Sequence, residues 1–425
     1  MNRVTLVVSL AAAVVSATPS ARGDSAPPAT YPARFALPGP EAARTAETHA
    51  GSSAPRQTEP LVRGGIYDRP YLVRVGSAVA VGGYIDLSGG YRREEGVSDG
   101  FSFEARRFNI FLSSTITRFI RLTSELEFEH GAREIALETA LVDLLFHHAI
   151  NLRAGILLVP VGRFNITHDS PRYDVVDRPL VSTRIIPSTW SDVGGGVFGA
   201  FYPGRRHRLT YELYLVNGLG DGLLAADGTR LSEGRMVRRF EADNNGSPAV
   251  TGRLAYSPPG GLEVALSFYT GVYNRFRVDG RAVDDARWVT VLAADAEFER
   301  GRLTLRGEGA LAILDVPGSL RDLAATRQLG FFLEGSYRVL QRRLWRFEQA
   351  SLAVTSRVEF VDLAYGYRRT GEGLGDEVTR LTLGLSFRPA PTTALRLVYH
   401  HDWLMDAFHR PSRGAGVLGG LATYF

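Results

Sequence analysis

From about residue 78 to the end, apolar and polar residues alternate at period two, and no stretch sustains a helical period. In Arg121–Glu129, Leu122, Leu126 and Phe128 share one face, while Glu125, Glu127 and Glu129 take the other. In Arg208–Val216, Leu209, Tyr211, Leu213 and Leu215 oppose Arg208, Thr210, Glu212 and Tyr214. Arg380–Arg388 sets Leu381, Leu383, Leu385 and Phe387 against Arg380, Thr382, Ser386 and Arg388. Successive side chains on a strand point to opposite sides, so each such segment is a strand with one greasy and one wet face.

The pattern places strands near 78–91, 105–117, 121–130, 134–146, 150–163, 193–202, 207–217 and 249–257. Further strands fall near 262–273, 287–299, 302–314, 328–340, 350–363, 378–388, 394–404 and 414–425, about sixteen in all. Alternation alone also fits a soluble sandwich. Three features point instead to a closed antiparallel transmembrane β-barrel. The segments run to about ten residues, the length a tilted membrane strand needs, where soluble strands usually have five or six. Aromatics collect near strand ends, as at lipid interfaces: Tyr202, Tyr256, Tyr273, Trp288, Tyr337, Phe360, Tyr399 and Trp403. Tight links such as Phe119-Ile120, Gly301 and Pro389–Thr393 alternate with long loops, although 131–133 is short and 341–349 is long for its place. Short turns then lie in the periplasm, long loops outside, and both termini in the periplasm.

The residues before the strands set the route. Met1-Asn2-Arg3, the apolar run Val4–Ala17 and Ala21-Arg22-Gly23 read as a signal peptide over 1–23. Residues 24–76, rich in Ala, Pro, Ser and Thr at first, read as a disordered periplasmic leader. Residues 77–425 form the barrel domain. The chain has no cysteine, so packing and backbone pairing hold it together. All 49 basic residues are arginine, which excludes lysine chemistry, and a net charge of +4 is too small to argue for nucleic acid. Phe425 closes an alternating last strand, the terminus that barrel-assembly machinery reads, and outer-membrane lipid is the surrounding partner.

Candidate chemistry lies on the polar faces. Glutamates gather early (Glu125, Glu127, Glu129, Glu138) and arginines late (Arg357, Arg380, Arg388, Arg396), so opposed rings of charge are expected across the lumen. Residues 164–192 form a long loop of mixed character, with Val175, Val176, Leu180, Ile185 and Ile186 among His168, Asp169, Arg172, Asp174, Asp177, Arg178 and Arg184. A loop of that composition is folded rather than floppy, and it is expected to enter the lumen and narrow it. Gly194, Gly196 and Gly199 spell GxGxxG but open a strand, so no nucleotide fold follows. The pairs His147-His148 and His400-His401 point to opposite faces of their strands, and no metal site, cofactor or catalytic residue is expected.

The run RAGILLVPVGRFNITHDSPRYD at 153–174, with GGYIDL at 82–87 and YELYLVNGL at 211–219, resembles the phosphate-selective porin O and P family, from about Val79 to Phe425. The resemblance implies a sixteen-stranded barrel, a constricting third loop and a homotrimer. Anion-selective members draw anions with arginines and a lysine cluster; the lysine cluster has no counterpart here. The expected function is a water-filled porin for small polar or anionic solutes, phosphate or small carboxylates among them. Two alternatives are a lipase-like barrel enzyme, which needs an outward Ser/His cluster, and a non-conducting adhesion barrel, which needs a filled lumen.

Overall fold

Sixteen strands pair antiparallel in chain order, and the last closes on the first. They are β1 Val79–Glu94, β2 Phe101–Thr117, β3 Ile120–Glu129, β4 Glu134–His147, β5 Ile150–Leu158, β6 Ser191–Phe201, β7 Arg208–Val216 and β8 Ala249–Ser257. The second half comprises β9 Leu262–Val272, β10 Trp288–Arg300, β11 Leu303–Leu314, β12 Arg327–Leu344, β13 Phe347–Asp362, β14 Glu377–Ala390, β15 Thr393–Met405 and β16 Pro411–Tyr424. The computed structural model describes residues 73–75, 79–98, 100–204, 206–225, 228–236, 240–243, 245–321, 324–365, 376–406 and 408–425. The expected signal peptide and nearly all of the expected leader lie outside these residues; Val73–Val75 pairs with β1.

Closure leaves no strand edge unpaired along the ring, the property that lets a sheet sit in hydrocarbon. The two faces follow the alternation. Along β12, Phe331 and Leu333 face outward while Gln328, Phe332, Glu334 and Ser336 are buried inside. Along β15, Leu395, Leu397, Tyr399 and Trp403 face outward while Arg396, His400 and Asp402 face in. Exposed apolar residues recur in the same way around the ring, which suits acyl chains rather than water.

All sixteen expected strands are present, with local differences. The strand expected over 150–163 stops at Leu158, because Pro160 has no N–H to give a ladder. The long turn expected at 341–349 is instead tight: β12 and β13 keep pairing to Leu344–Phe347, passing two register shifts. Tyr273 is not an interfacial aromatic; it is buried, and its hydroxyl donates to the Asp315 carbonyl at 2.6 Å. The glycines of β6 allow close strand approach, since a Cβ on Gly196 would stand 2.1 Å from the Leu213 carbonyl oxygen.

The third loop, residues 159–190, folds into the barrel. It carries α1 Arg163–Ile166, a single 3-10 turn at Ser170–Arg172, and α2 Leu180–Arg184. Its Val159, Val161, Leu180, Val181, Ile185, Ile186 and Trp190 form one core with inward residues of the wall, among them Tyr269, Val291, Phe332 and Val361. This accounts for the mixed composition of the loop. Each fully buried Val, Leu or Ile contributes about 1.5–3 kcal/mol, more than a surface ion pair, so apolar burial seats the loop and polar contacts orient it.

Candidate functional site in the lumen

The loop enters at Gly162, whose φ of 71° is left-handed and suits glycine. A Cβ there would meet Ile186 Cδ1 at 2.7 Å and Glu308 Oε1 at 2.9 Å. Backbone N–H groups then find strand acceptors: Gly162 donates to Ser267 Oγ at 3.0 Å and Phe164 to Glu308 Oε2 at 2.8 Å. Leu180, at the start of α2, donates to Glu359 Oε1 at 2.7 Å.

The late-strand arginines hold the far part of the loop. Arg396 donates to the Ser170 and Val175 carbonyls at 3.1 and 3.0 Å and pairs with Asp86 at 3.0 Å. Arg388 donates to the Pro171 carbonyl at 2.7 Å and pairs with Asp174 at 3.0 Å. Arg357 donates to the Asp177 carbonyl at 2.9 Å and pairs with Glu334 and Glu359. The structure therefore corrects the expectation of separated charge rings. Arg306 bridges Glu297 and Glu334, Arg380 forms a bidentate pair with Asp402, and Arg253 pairs with Asp295. Asp86 and Asp402 supply much of this balance, and a count of glutamates and late arginines alone misses them.

A polar cavity of about 410 Å³ lies between the loop, strands β1–β4 and β14. Its wall includes Arg92, Arg106, Arg107 and Arg380 from strands, with Arg178, Arg184 and Arg235 from loops. Against these seven guanidiniums stand the carboxylates of Glu127, Glu129, Glu134 and Asp177. Asp177 sits between Arg92 at 2.9 Å and Arg106 at 3.1 Å. Arg107 pairs with Glu129 at 2.9 Å and Glu127 at 3.4 Å. Arg178 differs from these: it reaches Thr189 Oγ1 at 3.4 Å, and its Nε and Nη2 are buried without a hydrogen-bond partner. Guanidinium donors at a water-lined wall can take the oxygens of a passing anion in pairs.

No family model matches the chain. An uncharacterized protein of Aquifex aeolicus is 27% identical over 366 residues, 79% of this chain and 78% of that protein. Among solved structures, the outer membrane channel DcaP of Acinetobacter baumannii is similar with a TM-score of 0.53, at 11% identity over 83% of this chain and 99% of that one. The anion-selective porin from Comamonas acidovorans gives 0.52, at 14% identity over 82% and 99%. OmpF of Salmonella typhi gives 0.52, at 10% identity over 84% and 100%. The fold is that of the outer-membrane porins.

Within this porin fold, Glu127, Asp177, Arg178, Arg184 and Arg380 come together at the cavity. Arg172 is exposed on the 3-10 turn and Asp174 is engaged with Arg388 and Ser336, both away from that cavity. Glu125, Arg357 and Arg396 are 1%, 1% and 4% exposed, so the expectation that they line the constriction is corrected: the folded loop covers them. The residues that sequence reading missed are Arg92, Arg106, Arg107 and Arg235. Arg106 and Arg107 are adjacent, yet both reach lumenal carboxylates. A register shift in β2 opposite Asp86 and Leu87 makes this possible, and a strict period-two reading cannot anticipate it.

The loop carboxylates make its seating acid-sensitive. Burial alone would raise the pKa of Asp177, but Arg106, Arg92 and Arg380 outweigh it and hold the group below its ordinary value. Burial likewise acts upward on Asp174, and Arg388 with Ser336 brings it below its ordinary value. A depressed folded-state pKa stabilises above the unfolded value of about 3.9 and loses that contribution as pH falls through the folded value. Pepsin should therefore cut within 164–190 faster at pH 2 than at pH 4.5, relative to an unstructured control peptide; equal relative rates would contradict this role.

Proposed function

We propose that this chain is an exported outer-membrane porin, related to the phosphate-selective porin O and P family. Its barrel, residues 77–425, conducts small polar solutes through a water-filled passage and favours anions such as phosphate or small carboxylates. One observation carries the reading: a cavity beside the inserted loop has seven guanidiniums in its wall against four carboxylates. Selectivity follows the charge at the narrow point rather than the net charge of the chain. In this reading Arg178, Arg184 and Arg380 meet solutes, while Arg357, Arg388 and Arg396 act by positioning the loop. The outward apolar bands meet outer-membrane lipid, the chain assembles as a homotrimer, and the last strand with Phe425 is what the assembly machinery engages.

Reversal potentials across a salt gradient test the ion sign. The wild type should prefer anions, and Arg178→Ala combined with Arg184→Ala should bring the permeability ratio toward unity without changing the fold. Salt should weaken the preference, because screening shortens to about 10 Å at 0.1 M. A cation-selective wild type, or an unchanged ratio in the double variant, would sink the assignment.

A further inference from the structure

Beneath the third loop lies a second cluster that solute passage leaves unexplained. Ligand atoms of Glu125 on β3, and of His168 and Asp169 on the loop, all lie within 4.8 Å of one another, and all three residues are buried. Glu138 of β4 adjoins the group, its Oε1 3.0 Å from His168 Nε2. A register shift in β4 opposite Glu125 and Leu126 lets Glu138 and Thr139 both be buried. The Glu138 carboxylate faces Glu125 and His168.

The polar atoms here are placed for a cation. His168 Nδ1 lies 2.8 Å from the Asn165 carbonyl oxygen, which fixes Nδ1 as the protonated nitrogen and turns Nε2 into the cluster. Nε2 stands 3.0 Å from Glu138 Oε1, yet off the line of a hydrogen bond. No well-aligned hydrogen bond reaches either oxygen of Glu138, the Oδ1 of Asn109 or the hydroxyl of Tyr84. All three residues are fully buried. Asn109 is tied to the site through Nδ2, which donates to Glu125 Oε1 at 2.8 Å. Asp169 is oriented by the Tyr424 hydroxyl at 2.9 Å. Several buried carboxylates beside an imidazole and unpartnered oxygens are unfavourable unless positive charge joins them.

We propose that Glu125, Glu138, His168 and Asp169 bind one divalent cation of the first transition row, zinc or manganese, that staples the third loop to β3 and β4. One imidazole nitrogen with carboxylate oxygens suits these ions at bonds of about 2.0–2.2 Å. A histidine whose other nitrogen donates to a backbone carbonyl is the usual form of such a ligand. No ligand spacing marks the site along the chain, because two ligands come from neighbouring strands and two from the loop folded against them.

Full-length protein in detergent should be stripped with EDTA, incubated with zinc or manganese, desalted and assayed by elemental analysis. About one ion per chain is expected in the wild type, and cobalt in its place should show visible d–d bands of a nitrogen-containing site. His168→Ala and Glu125→Gln should each weaken binding by about tenfold or more while the β circular dichroism is retained. Two results would overturn the proposal: a wild type with neither stoichiometric metal nor a cobalt spectrum, or variants that keep full stoichiometry and affinity. The cobalt spectrum needs only the wild type, so it decides the matter even where a variant fails to fold.

Discussion

Replacing residues 159–190 with a two-residue Asn-Gly turn is expected to raise single-channel conductance by about twofold or more, because the loop occupies lumen that a sixteen-stranded barrel otherwise leaves to water. The design is available because Leu158 of β5 pairs directly with Ser191 of β6, so a tight turn can join them without disturbing the ladder. The variant also uncovers inward apolar residues such as Tyr269 and Val291, now packed against Trp190 and its neighbours. It should therefore be less stable as well as more conductive. Single channels recorded in planar bilayers check this. An intact barrel with unchanged conductance would mean that the loop does not obstruct the passage.

The second large effect concerns the outer face. Leu333, in the middle of β12, is 63% exposed and points away from the lumen. If that face lies in hydrocarbon, Leu333→Arg should cost about 2–4 kcal/mol, and the same change at Trp345 in the tight turn about 0–1 kcal/mol. Trp345 is 77% exposed, so burial within the protein cannot explain such a difference. Urea unfolding in lipid vesicles measures both. Equal, small costs at the two positions would place the outer face in water and remove the reason for reading a membrane barrel.

The barrel was legible because period-two alternation is local: each strand carries its own record of which face is wet. The placement of the loop was legible for a related reason, since Leu180, Ile185 and Ile186 require a core that no exterior loop has. The charge pattern was not legible. Whether Arg396 is a selectivity group or a clamp depends on Asp86, 310 positions away in sequence, and on closure of the first and last strands. Register shifts mattered too. They allow Arg106 with Arg107, and Glu138 with Thr139, to enter the interior as neighbours, against the alternation that reads correctly elsewhere. His168 was visible as one polar loop residue among many, and its approach to Glu125 and Glu138 arises only from the folded loop.

The central claim is an open, water-filled passage through a folded barrel. The most direct measurement is insertion of the purified wild type into a planar lipid bilayer under a salt gradient. Discrete current steps of uniform size should appear, with a reversal potential on the anion-selective side. A protein that inserts with its full β-sheet signal yet passes no current would contradict the account and favour a closed barrel.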